Sequence, residues 1–159
     1  MKRVRGIAAI LGFGGLCLLL TAATAFADGN AFVGRWHLNQ AESKAPPGEV
    51  LPPDMMAEFS RVDAKHVKWS ITVTDAQRRP SIEAFDTPAN GEFYPISSDT
   101  TAAFVLKGNT LQATFKGPAG ETDSLVCTLS AGARKMTCNG TLTRPNEPPQ
   151  TYLDVYDRM

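Results

Sequence analysis

The chain has 159 residues, 43% of them hydrophobic, and its 16 basic side chains balance its 16 acidic ones. That length suits one domain with a real core, and the absence of a basic excess argues against nucleic acid as a partner.

The first 27 residues are predicted to be a secretory signal: Lys2, Arg3 and Arg5 precede the apolar run GIAAILGFGGLCLLL, and a small-residue stop, AFA, ends at Ala27. The run falls short of the ~20 residues a spanning helix needs, so cleavage is expected before Asp28, with no membrane span in the mature chain. Cys17 is read as part of the discarded segment rather than a lipid anchor, because Leu16 stands where a small residue is wanted. Removing the leader takes three basic residues and no acidic one, leaving 13 against 16 in residues 28–159, a net charge of −3. A single exported domain, periplasmic or secreted, is expected, in a compartment where the two remaining cysteines can pair.

From Asp28 onward a two-residue hydrophobic alternation dominates, and no helix longer than a turn or two is predicted. The first strand is FVGRWHL (32–38), followed by a long loop whose Pro46, Pro47, Pro52 and Pro53 cannot donate to a ladder. MAEFSRV (56–62) and HVKWSITVT (66–74) come next, the latter with Val67, Trp69, Ile71 and Val73 on one face and polar residues on the other. SIEAFDT (81–87) and EFYPIS (92–97) flank the hairpin signal Asn90-Gly91; TAAFVLK (101–107) and TLQATFK (110–116) flank a second, Gly108-Asn109. TDSLVCTLS (122–130), KMTCNGTLT (135–143) and QTYLDVYDR (150–158) complete the pattern. About nine short strands joined mostly by short turns predict an all-β, up-and-down antiparallel barrel of eight to ten strands.

Cys127 and Cys138 check the register. A turn centred on Gly132-Ala133 places opposite each other residues whose numbers sum to 265, as those of the two cysteines do. Leu125, Cys127 and Leu129 then share an apolar face with Met136, Cys138, Gly140 and Leu142, and a structural disulfide is expected. A four-residue loop would give the non-hydrogen-bonded pairing that such a bond prefers, and a two-residue loop would not; the sequence leaves both open.

A barrel closed at one end needs an apolar plug there and a bend in the entering strand. Gly34 and Trp36 fit those two tasks, and with an even number of strands Arg158 ends beside them, within reach of the indole face. Here the chain resembles the calycin group (lipocalins, fatty-acid-binding proteins and avidins), which share a Gly-x-Trp at the first strand and a basic residue on or after the last. GRWHLNQAESK and VYDRM are also similar to the ends of small secreted bacterial lipocalin-like proteins that typically read W-x-L-N-x-x-x-S-K and finish V-Y-D-R/K. The cysteine pair is a departure from that group. The resemblance implies a fold and a compartment, the cell envelope, and no substrate.

Barrels of this type imply a cavity for one small apolar molecule, so the first functional reading is binding or carriage of a small hydrophobic ligand in the envelope. The expected wall residues are Trp69, Ile71, Phe104, Leu111, Phe115 and Leu125, each of which also reads as ordinary core. A second reading is an interaction or inhibitor module with a packed interior, binding an envelope protein partner through loop 45–53 and RPNEPP. Catalysis has the least support: HExxH, GxSxG, a phosphate-cradling loop and metal-spaced clusters are all absent, and neither a cofactor nor a metal is expected. His66 is expected to be exposed, and His37 to face away from Trp36. Tyr152, Asp154 and Tyr156 share one face of the last strand, where they read either as an exterior stripe or as hydrogen-bonding partners for a ligand.

Overall fold

The computed structural model describes residues 30–159, so the leader predicted over 1–27 lies outside the described residues. The strands are β1 (Gly34–Leu38), β2 (Asp54–Val62), β3 (His66–Thr74), β4 (Pro80–Pro88) and β5 (Tyr94–Pro95), then β6 (Thr101–Lys107), β7 (Thr110–Lys116), β8 (Thr122–Leu129), β9 (Lys135–Thr143) and β10 (Gln150–Arg158). They form one ten-stranded antiparallel sheet in the order β4-β3-β2-β1-β10-β9-β8-β7-β6-β5. Each strand therefore pairs with its neighbours in sequence, with one pairing added and one missing. β1 pairs with both β2 and β10, joining the ends of the chain, while β4 and β5 form no ladder. The result is a nearly closed barrel with one seam.

Two predicted strands are shorter in the structure by two residues or more. The first begins at Gly34, because Asn30 caps a turn beneath it: the Phe32 amide donates to Asn30 Oδ1 (3.0 Å) and the Val33 amide to the Asn30 carbonyl (2.9 Å). The segment 92–97 shrinks to Tyr94–Pro95, since Pro95 has no amide to give and the polar groups nearby satisfy one another. Asn90 Nδ2 donates to the Tyr94 hydroxyl oxygen (2.8 Å) and that hydroxyl donates to Glu92 (2.9 Å).

The closed end is built from the first and last strands. Trp36 is wholly buried, its Nε1 donating to the Phe32 carbonyl at 2.9 Å, and the Arg158 guanidinium lies 4.2 Å from the indole centroid. Arg158 also donates to the carbonyls of Val33 (2.9 Å), Ala133 (2.6 Å) and Ala31, so one side chain ties together backbone segments at the closed end. Gly34 is needed twice over: its φ is +138°, and a Cβ there would lie 2.6 Å from Arg158 Nη1. Trp36 forms the floor, in one buried cluster with Phe32, Phe59, Val67, Phe104, Leu111 and Met136.

β8 and β9 hold the register read from the cysteines. Cys127 lies opposite Cys138, Leu129 opposite Met136 and Leu125 opposite Gly140, and Cys127 and Cys138 form a disulfide. The Ser130 amide bonds to the Lys135 carbonyl at 2.9 Å, which closes a four-residue loop, Ala131 to Arg134. Alternation from that pair makes the cysteine pair a non-hydrogen-bonded one, with its Cα atoms 3.9 Å apart.

Candidate functional site

Above the floor the interior is hollow. A cavity of about 380 Å³ occupies the half of the barrel nearer the open end, between β2, β3 and β4 on one side and β7 to β10 on the other. Strand parity puts its walls there, because residues i and i+2 of each strand face inward.

One wall is aromatic. Trp69 of β3 stacks on Phe115 of β7 at 5.8 Å between centroids, with Phe85 of β4 5.6 Å from Trp69 and Phe59 of β2 5.3 Å from it. Phe104 meets both Trp69 and Phe115 edge-on at 5.8 Å. These contacts bridge the seam that no backbone ladder closes. Trp69 Nε1 is buried and donates to no atom of the protein.

The facing wall is acidic. Asp123 of β8 and Tyr152, Asp154 and Tyr156 of β10 all project inward, and Glu83 of β4 joins them near the open end. The Tyr152 hydroxyl lies 2.8 Å from both oxygens of Asp123 and donates to that carboxylate. Gly140 makes this possible: it lies opposite both Tyr152 and Leu125, and a Cβ there would collide with the tyrosine ring, which therefore lies across β9 to reach β8. The Tyr156 hydroxyl donates a longer bond, 3.4 Å, to Asp154. Burial raises Asp154 from 3.8 to about 6, against the bond from Tyr156 and with help from the neighbouring Asp123 charge. Asp123 is also raised, again chiefly by burial, with Tyr152 opposing and Glu49 adding to the shift. Burial likewise pushes both tyrosine hydroxyls up, so they remain protonated donors. Among the described residues, no lysine, arginine or histidine lines the cavity.

Of the six wall residues expected from the sequence, Trp69, Ile71, Phe115 and Leu125 line the cavity. Phe104 and Leu111, 1% and 2% exposed, are instead buried in the core cluster that holds Trp36, and neither lines the cavity. Tyr152, Asp154 and Tyr156 form no exterior stripe; they face inward. That orientation was available from Arg158: a residue placed over the indole puts positions 156, 154 and 152 of the same strand inside as well. His37 and His66 lie outside, paired with Asp54 (2.6 Å) and Asp86 (3.0 Å). The two proline-bearing connections lie at the open end, where Arg144 joins Glu49 at 2.5 Å and Gln40 Nε2 donates to the Pro52 carbonyl at 2.9 Å. Leu51 of the first connection packs against the core.

A larger hollow of about 580 Å³ lies outside the floor, between Ala31, Val33, Asn109 and the β8–β9 turn. Its cationic group is Arg158, whose donors are taken by backbone carbonyls, and it lacks the aromatic wall of the interior cavity. Among the described residues no group of three or more His, Cys, Asp or Glu side chains is placed to hold a metal, and no helix is long and apolar enough to cross a membrane.

No family model matches the chain, and no curated protein matches it by sequence. Solved structures do. A point mutant of the fluorescent protein UnaG is 17% identical, with 81% of this chain and 96% of that chain covered and a TM-score of 0.55. The wild-type form of UnaG is 15% identical over 80% and 97% of the two chains, with a TM-score of 0.50. The zebrafish ileal bile acid-binding protein, complexed with cholic acid, is 11% identical over 82% of this chain and all (100%) of that one, with a TM-score of 0.51. At these identities the likeness is one of fold: the nearly closed, up-and-down calycin-type barrel.

Proposed function

We propose that the barrel binds and carries one small hydrophobic molecule, held noncovalently in the interior cavity, and that it does so as an exported protein of the cell envelope. The cavity carries this reading: about 380 Å³ of space, lined largely by aromatic and aliphatic side chains. A volume near the low end for ligand pockets implies a compact occupant. Trp69, Ile71, Phe115 and Leu125 are its proposed contacts, joined by Met55 and Phe85. The bile acid-binding barrel supports the reading by analogy of fold alone. The compartment is supported by the leader pattern of residues 1–27 and by the Cys127–Cys138 disulfide.

Binding is tested with the neutral dye N-phenyl-1-naphthylamine. Its fluorescence should rise saturably at one site per chain, with a Kd on the order of 10 µM for a ligand of that size. Leu125→Trp, which fills the cavity, should abolish the rise. No saturable signal from the natural chain, together with nothing apolar recovered by solvent extraction, would remove the reading.

A further inference from the structure

We infer that the molecule this cavity takes is cationic: a compact lipophilic amine whose apolar body lies on the aromatic wall and whose ammonium group meets the carboxylates of Asp123 and Asp154. The inference rests on the ligand-binding reading above and names the chemistry of that ligand. The hollow, with its aromatic wall and the acceptorless Trp69 Nε1, is the independent mark of an occupant. The carboxylates decide the sign of its charge.

Three observations set that sign. The lining contains Asp123, Asp154 and Glu83 and, among the described residues, no basic side chain. The hydroxyls of Tyr152 and Tyr156 satisfy lone pairs of the two aspartates but bring no positive charge. At the rim, Arg144 is committed to Glu49 at 2.5 Å and to Glu147 at 3.8 Å, outside the cavity lining. The protein thus leaves two half-buried carboxylates without a counter-ion, facing aromatic rings whose π faces also favour a cation. An anionic amphiphile would have to place its head against like charges in a site of reduced dielectric.

Tyr152 is a positioning residue in this arrangement. Its ring, lying over Gly140, holds Asp123 by hydrogen bonding and leaves the outer lone pairs of that carboxylate for a ligand.

The test is calorimetric titration of the purified chain with decylamine, decanol and decanoate, which share a tail and differ in head charge. At pH 7.5 the amine should bind at least ~10-fold tighter than the alcohol and decanoate at least ~10-fold weaker, each factor corresponding to about 1.4 kcal/mol. Asp123→Asn/Asp154→Asn should bring amine and alcohol within ~3-fold of each other. A pH series on the natural chain guards against misfolding of that variant. The groups facing the site are Asp123 from β8, Tyr152, Asp154 and Tyr156 from β10, Glu83 from β4 and Glu49 from loop 39–53. The amine-to-alcohol ratio should shrink between pH 7.5 and pH 5 as Asp154 takes up its proton. Decanoate binding as tightly as the amine, or a ratio indifferent to both pH and the double substitution, would overturn the cationic ligand and leave the apolar site standing. If none of the three binds, the ligand-binding reading fails and this inference falls with it.

Discussion

At Asp154 a carboxylate is held where it is thermodynamically unfavourable. Its value rises from 3.8 to about 6, chiefly because burial strips water from the charged form. The sign of the pH effect follows. Below 3.8 the carboxyl is protonated in the folded and unfolded chains alike and contributes no difference; between 3.8 and about 6 the unfolded chain ionises first, so stability falls as pH rises; above about 6 the loss is complete. That span corresponds to about 2–3 kcal/mol. Asp154→Asn keeps the shape and removes the charge, so it should stabilise the chain by about 1–3 kcal/mol at pH 7.5 and by much less near pH 4. Urea denaturation at the two pH values measures this, and a gain of equal size at both would show that the charge is not the cause. A side chain that weakens the fold at neutral pH yet occupies the cavity wall is better explained by binding than by packing.

At the scale of elements, the weak point is the seam. β4 pairs with β3 along its length, from His66 opposite Pro88 to Thr74 opposite Pro80, and presents its other edge to no ladder. An isolated bridge between Asn90 and Val105 and a 2.9 Å bond from the Gly91 amide to the Phe104 carbonyl tie the chain across at the floor end. Above that level the aromatic contacts of Trp69, Phe85 and Phe115 hold the two sides together. Phe85→Ala should therefore lower stability by about 3 kcal/mol, at the low end for a buried phenylalanine. In hydrogen exchange the β4 amides should lose protection first, while β8 and β9, cross-linked and paired on both edges, keep theirs. Loss spread evenly over all strands would mean that the seam is not the first place to open. Most of the strands were legible in the sequence because Gly, Pro and Asn punctuated a period-2 pattern; the seam was not. Alternation identifies faces, and whether β4 meets β5 depends on Pro95 and the local polar contacts around Asn90, which weaken the intervening strand to two residues.

For the whole molecule, closure was legible at the ends, whereas a cavity was expected only from the resemblance and its volume was not legible. Gly34, Trp36 and Arg158 predicted that β1 and β10 meet, and Trp36 pairs with Arg158 across those strands. The volume of the hollow depends on side chains from many strands at once: Phe104 and Leu111 are buried in the core, while Ile71 and Leu125 line the cavity. The proposed export adds a covalent constraint to this closed shape. Cleavage before Asp28 would remove Cys17 and leave a chain whose two cysteines are both in the Cys127–Cys138 bond, with a sequence separation of 11. Protein recovered from the periplasm should accordingly begin at Asp28 and show no free thiol under denaturing conditions. Reducing the bond frees the β8–β9 loop in the unfolded chain, and for a loop of this length the loss should be about 2–3 kcal/mol in denaturant unfolding, with the folded barrel retained. A free thiol in the exported protein, or unfolding midpoints unchanged by reductant, would detach the disulfide from the stability of the barrel, and the compartment it implies would rest on the leader alone.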